Sequence, residues 1–178
     1  QASLAAEGLV GPAQSEWLDR VRDDLESYRG ALTWLIDRGR PAEAANIAWG
    51  LMHFWMIRGH AAEGLQWYEQ ILNLPSLPTV HASKVLVAAA MMWYALGELG
   101  RARTGLTRAL ALAHDAGDTS IVAHAEHLFG HVEYAVGVPH ERPQVRDLAP
   151  VAQYHHRLGH QHRVPVGHPV AVAGRRQR

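Results

Sequence analysis

Gly59-His60-Ala61-Ala62-Glu63-Gly64-Leu65 and Gly100-Arg101-Ala102-Arg103-Thr104-Gly105-Leu106 are two copies of one pattern, G-x-A-x-x-G-L. The second copy begins 41 residues after the first. A weaker copy, Gly39-Arg40-Pro41-Ala42-Glu43-Ala44-Ala45, precedes both. The leading glycine suits a tight turn between antiparallel helices, because it adopts positive φ without a steric penalty. The small residue five places on lets the second helix approach its partner closely, and the leucine after it enters the core. A single helix pair cannot bury its apolar face alone, so such pairs stack on one another.

The flanking sequence has helical period throughout. Leu18, Val21, Leu25, Tyr28, Leu32 and Leu35 recur at spacings of three and four, which predicts one helix over about 16–37 with Ser15 as its N-cap. Gly39 is placed to end it. Pro41 opens a second helix to about 58, with Ala44, Ala48, Leu51 and Trp55 inward. A third covers about 61–74, with Ala61, Leu65, Tyr68 and Leu72 inward, and stops at Pro75-Ser76-Leu77-Pro78. Thr79 is placed to cap the fourth, over about 80–99, with Val85, Ala89, Met92 and Leu96 on one side. That helix is apolar nearly all round at its centre and should lie between neighbours. The fifth covers about 101–116. The sixth covers about 120–136, with Val122, Ala125, Phe129 and Val132 inward. No alternating run bounded by hairpin turns occurs, so no sheet is expected.

The expected fold is therefore all-α, an antiparallel helix-pair solenoid. Residues 1–14 read as a linker or the end of a preceding domain, 15–137 as the helical-repeat domain, and 138–178 as an irregular tail. The repeat resembles the tetratricopeptide repeat, in degenerate form, because that family's usual period is nearer 34 residues. A narrower resemblance covers about residues 5–136. The runs Trp17-Leu18-Asp19-Arg20, Asp24-Leu25-Glu26-Ser27-Tyr28-Arg29-Gly30-Ala31-Leu32-Thr33-Trp34 and Phe54-Trp55-Met56-Ile57-Arg58-Gly59-His60 carry it, with Gly64-Leu65-Gln66-Trp67. They look like the segment after the ATPase module of bacterial STAND ATPases, a group that includes large transcriptional regulators. The resemblance implies a helical region that senses a ligand or partner and restrains an ATPase. The catalytic parts are missing from this stretch. It has no G-x-x-x-x-G-K-[ST] loop, and Lys84 is its single lysine. No helix-turn-helix reader is recognisable either, so neither ATP hydrolysis nor direct nucleic-acid binding is expected of these residues.

Composition narrows the classes further. The 178 residues carry 17 basic and 17 acidic side chains, so no global field draws in a polyanion or a membrane surface. Beyond residue 141 the balance turns basic. Cysteine is absent, which excludes disulfides, thiolate metal sites and a cysteine nucleophile. The longest apolar run, 85–96, is shorter than the roughly 20 residues that cross a bilayer. The chain opens Gln1-Ala2-Ser3, without a methionine or a signal-peptide pattern, and reads as a piece of something longer in a cytoplasmic setting.

Candidate binding residues are the aromatic and imidazole side chains off the core stripes: Trp49, His53, Phe54, Trp93, Tyr94, His124 and His131. Core packing accounts for most of the aromatic cluster around Trp55, Trp67 and Tyr68. His124, His127 and His131 lie three and four apart, so one helix face could hold a metal or sense pH, or simply line a groove. No cofactor is expected, and no Ser/His/Asp arrangement is signalled by a local motif. The expected partner is a protein or small-molecule effector.

The texture changes after Gly137. Prolines recur at 139, 143, 150, 165 and 169, and histidines gather at His155, His156, His160, His162 and His168. Irregular, loosely packed structure is expected beyond about residue 140. The tail reads either as a natural continuation or as an out-of-frame translation. His155, His156, His160 and His162 offer imidazoles at short spacing but no nearby carboxylate, so they form a weak candidate metal set. A metal-binding tail is one alternative function. Self-association is another, through a sixth helix left without a partner and exposing Val122, Phe129 and Val132.

Overall fold

The computed structural model describes residues 14–137. The expected linker and tail lie outside them. Every described element is helical, in the order α1 (Gln14–Asp23), α2 (Leu25–Asp37), α3 (Pro41–Ile57), α4 (Ala61–Leu72), α5 (Thr79–Ala95), α6 (Leu99–Asp115) and α7 (Thr119–Gly137). The all-α expectation holds.

Four of the junctions are closed in one way. Gly39, Gly59, Gly97 and Gly117 all have positive φ, between 61° and 78°. At each, the next residue's N–H reaches back five places: Arg40 to the Leu35 carbonyl at 2.9 Å, His60 to Trp55 at 2.8 Å, Glu98 to Trp93 at 2.8 Å and Asp118 to Ala113 at 2.9 Å. This is the Schellman closure, which satisfies helix-end carbonyls and favours glycine at the left-handed position. The α4–α5 junction differs. Pro75 and Pro78 forbid a helix there, and Ser76 takes the positive φ of 61°.

Several boundaries differ from expectation, for physical reasons. The first helix bends at Asp24 (φ −94°, ψ 4°), a poor interior helix former. Backbone bonds from Asp24 to Arg20 and from Tyr28 to Asp24 carry the chain across the bend, so its stripe stays on one face. Ser15 lies inside α1, and Pro78 rather than Thr79 holds the N-cap position of α5, whose first residue is Thr79. The turn between α5 and α6 uses Gly97. Gly100 is the second residue of α6. Relative to the first copy, α6 therefore begins three residues early, nearly a full turn, and the inner face is kept.

The repeat's remaining two positions behave as read. A Cβ on Gly64 would meet the Trp55 ring at 3.0 Å, and one on Gly105 would meet the Trp93 ring at 2.7 Å. Each glycine thus admits a tryptophan from the preceding helix. Leu65 and Leu106 follow them into the core.

Each helix packs on the next, and α3 with α5, α5 with α7, α1 with α3 and α2 with α4 also touch. The middle of α5 has neighbours on every side, and all ten residues 85–94 are buried. In α3 the run 50–56 is buried as well, including Leu51 and Trp55 with no exposure. Trp55 meets Tyr68 edge to face at 5.6 Å, and the Tyr68 hydroxyl donates to the Ala48 carbonyl at 2.9 Å, tying α4 to α3. Ion pairs lace the outside. Arg58 meets Asp19 at 2.6 Å (α3 end to α1), Arg101 meets Glu69 at 2.6 Å (α6 to α4) and Arg103 meets Glu133 at 2.8 Å (α6 to α7).

Candidate functional site

The candidate residues divide into two groups. Phe54 is buried and stacked on His60, with centroids 5.9 Å apart and planes at 14°. Trp93 is buried against α6, opposite Gly105 and beneath the Arg101 guanidinium at 4.7 Å. His53 is 6% exposed within the buried run of α3. These three serve helix packing and present little surface to a partner.

Trp49, His124 and His131 are half-buried and come together differently, on facing sides of α3 and α7, with Tyr94 of α5, itself buried, packed beneath His131. Trp49, half-buried one turn before His53, meets His124 edge to face, centroids 5.9 Å apart at 71°. Tyr94, on α5, meets His131 at 6.5 Å with planes tilted 55°. His127 joins them, its ring 4.8 Å from that of His131 and nearly perpendicular to it. The face is thus assembled from helices whose residues lie up to 82 positions apart, Trp49 to His131.

Local structure explains the placement. Asp118 accepts from the Ile121 N–H at 3.1 Å and so caps α7. Ile121, Ala125, Leu128 and Val132 then form the buried stripe of that helix. With that stripe anchored, the half-buried 124, 127 and 131 positions lie along its flank. The His124 Nδ1 stands 2.7 Å from the Ser120 carbonyl. A carbonyl can only accept, so this nitrogen carries the proton. His127 and His131 share a hydrogen bond between their Nε2 atoms at 3.3 Å.

At His127 the electrostatics favour the neutral imidazole. Burial pushes the His127 pKa below the ordinary histidine value, and the neighbouring His131 and His124 lower it further. Glu133 is turned to Arg103 on α6, and Glu126 is exposed. Among the described residues no group of three or more His, Asp or Glu is arranged to hold a metal. The tail candidates His155, His156, His160 and His162 lie outside the described residues.

The expectation of an unpartnered sixth helix needs correction. That helix, α7, packs on α6 and α5. Val132 is fully buried, while Val122 and Phe129 are half-buried against the core. The large apolar side chains that α7 does expose are Tyr134, at 75%, and Val136, at 54%. Sequence reading also passed over Trp34, 48% exposed, with the Arg38 and Arg40 guanidiniums 5.4 and 5.7 Å from its ring centre. Its place off the Leu32–Leu35 stripe was the available signal.

No described helix is long and apolar enough to cross a membrane. No family model matches the chain, and no solved structure matches it. Similarity does appear to provisionally named HTH-type transcriptional regulators, one from Mycobacterium bovis and two from Mycobacterium tuberculosis strains. Each is 28% identical over 115 residues, covering 60% of this chain. The chain spans 13% of the length of these relatives, so the likeness is between a helical segment and part of much longer regulators.

Proposed function

We propose that this chain is a regulatory segment of a larger transcriptional regulator, one that binds an effector and performs no chemistry itself. The observation that carries the reading is the Trp49–His124 and Tyr94–His131 face, built by three helices distant in sequence. The similarity to longer regulators of transcription supports the regulatory part. The nearest-neighbour packing and the paired Trp–Gly contacts support a degenerate tetratricopeptide-like stack, and with it the sensor role of STAND-type proteins.

The geometry favours a small effector over a docked helix at this face. Trp49 and His124 are in contact, whereas a helix with its side chains is about 10 Å across. A planar or compact molecule that displaces this contact could stack on Trp49 and hydrogen-bond to an imidazole. Direct nucleic-acid binding is assigned to other parts of the longer protein.

A thermal-shift screen of small molecules against the chain, with Trp49→Ala and His124→Ala alongside, tests this. The expected result is a compound that raises the Tm of the parent chain and loses that effect in both variants. Hits indifferent to both variants would overturn the site, and ATP turnover by the purified chain would overturn its non-catalytic character.

A further inference from the structure

His127 and His131 are four residues apart on α7, so their side chains leave one face of the helix a turn apart. Their Nε2 atoms stand 3.3 Å from each other. One imidazole donates and the other accepts, so a single proton occupies the space between two ring nitrogens. That spacing also suits a tetrahedral metal. With Zn–N bonds of about 2.0–2.1 Å, two ligands at the tetrahedral angle lie about 3.3–3.4 Å apart. Adjacent ligands of an octahedral ion with similar bonds lie closer, at about 3.0 Å.

We propose that His127 and His131 form a two-imidazole chelate for a zinc ion, each binding through Nε2. Two coordination positions remain for water or for a donor atom of an incoming ligand.

Three features support the pair as a chelate. The helix that carries it is fixed by the burial of Ile121, Ala125, Leu128 and Val132, so the four-residue spacing is held rigid. The buried Tyr94 ring lies against His131 and limits its swing. Both imidazoles are half-buried, so a bound ion is partly shielded while the outer positions stay reachable. Imidazole is also a ligand type that zinc accepts readily. The exchange balances without net proton release. The imidazole that donates through Nε2 moves its proton to Nδ1, through solvent, and both Nε2 lone pairs then face the metal. Neither Glu133, held by Arg103, nor Glu126, exposed on another side of α7, completes the set.

The test uses the whole chain with His140, His155, His156, His160, His162 and His168 changed to Gln, so that the tail cannot contribute. Zinc uptake is measured against a chromophoric chelator, with Co²⁺ as a spectroscopic probe. The expected result is one equivalent bound, a tetrahedral cobalt spectrum, and a Tm rise of roughly 5–10 °C with zinc at about a hundred times its Kd. Adding His127→Gln or His131→Gln should abolish all three, and adding His124→Gln should leave them in place. No uptake by the background chain, or uptake unchanged by His127→Gln and His131→Gln, overturns the proposal. Should those variants not fold, zinc protection of His127 and His131 from diethylpyrocarbonate, mapped by mass spectrometry, decides instead. Protection supports the chelate, and equal modification with and without zinc overturns it.

Discussion

Gly105 and Gly30 are both helical glycines, yet an added methyl group should have opposite effects at the two. At Gly105 a Cβ would lie 2.7 Å from the Trp93 ring, which is buried and held beneath Arg101. The ring cannot move without disturbing the α5–α6 contact, so overpacking outweighs the helix propensity of alanine. Gly105→Ala should destabilise by about 1–3 kcal/mol. Gly30 is exposed, with nothing within 4 Å of the built Cβ. Gly30→Ala should stabilise by about 0.5–1 kcal/mol, because only the backbone entropy changes. Urea denaturation of the two variants against the parent checks both signs, and a stabilising Gly105→Ala would contradict the close-approach reading. The contacts of Gly64 and Gly105 were legible in the sequence because a repeated pattern makes one physical demand twice. Trp34 was legible only as an outward position off the Leu32–Leu35 stripe, because an exposed aromatic beside arginines repeats no pattern that marks a role.

At the scale of elements, Arg29 on α2 grips Glu63 on α4 through two bonds, Nε at 2.7 Å and an Nη at 2.6 Å, and also pairs with Glu26. Hydrogen bonding from Arg29 holds the Glu63 carboxyl below its usual range, against the opposing effect of partial burial. A carboxylate with a lowered folded-state pKa adds stability that is present above the ordinary value of about 4.3. That stability is lost as pH falls through the lower folded-state value. Glu63→Gln should therefore narrow the stability difference between pH 7 and pH 3. A double-mutant cycle with Arg29→Ala should show coupling of roughly 1 kcal/mol at neutral pH and none in acid. His81, near the start of α5, acts in the same direction but in a higher pH window, because it is the neutral form that the fold favours. Burial, with Lys84 nearby, lowers its pKa despite the attraction of Glu43. The folded chain then resists protonation that the unfolded chain accepts, so stability falls as pH drops below about 6.5. His81→Gln should flatten chemical-denaturation midpoints between pH 7.5 and 5.5 (both values approximate bounds on the usual histidine range).

Helix existence and order were legible because each stripe is long and broken by Gly or Pro. Phase was less so. In α7 the apolar pairs Ile121–Val122 and Leu128–Phe129 are adjacent, so two stripes one residue apart fit the same period. The expected stripe took Val122 and Phe129, whereas the fold buries Ile121 and Leu128. Likewise Gly97 and Gly100 are close enough that local pattern could not choose the turn, and packing against α5 chose it. The candidate face was half legible. Its residue types and the single-helix spacing of His124, His127 and His131 could be read. The meeting of Trp49 with His124 depends on how three helices curve together, which no local signal encodes.

On the scale of the whole molecule, stability should follow the number of neighbours each helix has. α5 lies against α3, α4, α6 and α7, and its central residues are buried all round. α1 is at the other extreme. It buries only Leu18 and Val21, and its Asp19–Arg58 pair is solvent-exposed and so contributes little. Where helices contact mainly their near neighbours, end elements open at small cost while central ones open only with the whole. Amide exchange in native conditions should thus rank α1 fastest and α5 slowest, with α5 protection approaching the global unfolding free energy. Leu106→Ala, a fully buried truncation costing about 2–5 kcal/mol, should lower protection in α5, α6 and α7 together and leave α1 unchanged. Uniform loss across all seven helices would instead mean that residues 14–137 unfold as one cooperative unit. The helices would then form a single globular core rather than a series of neighbouring pairs.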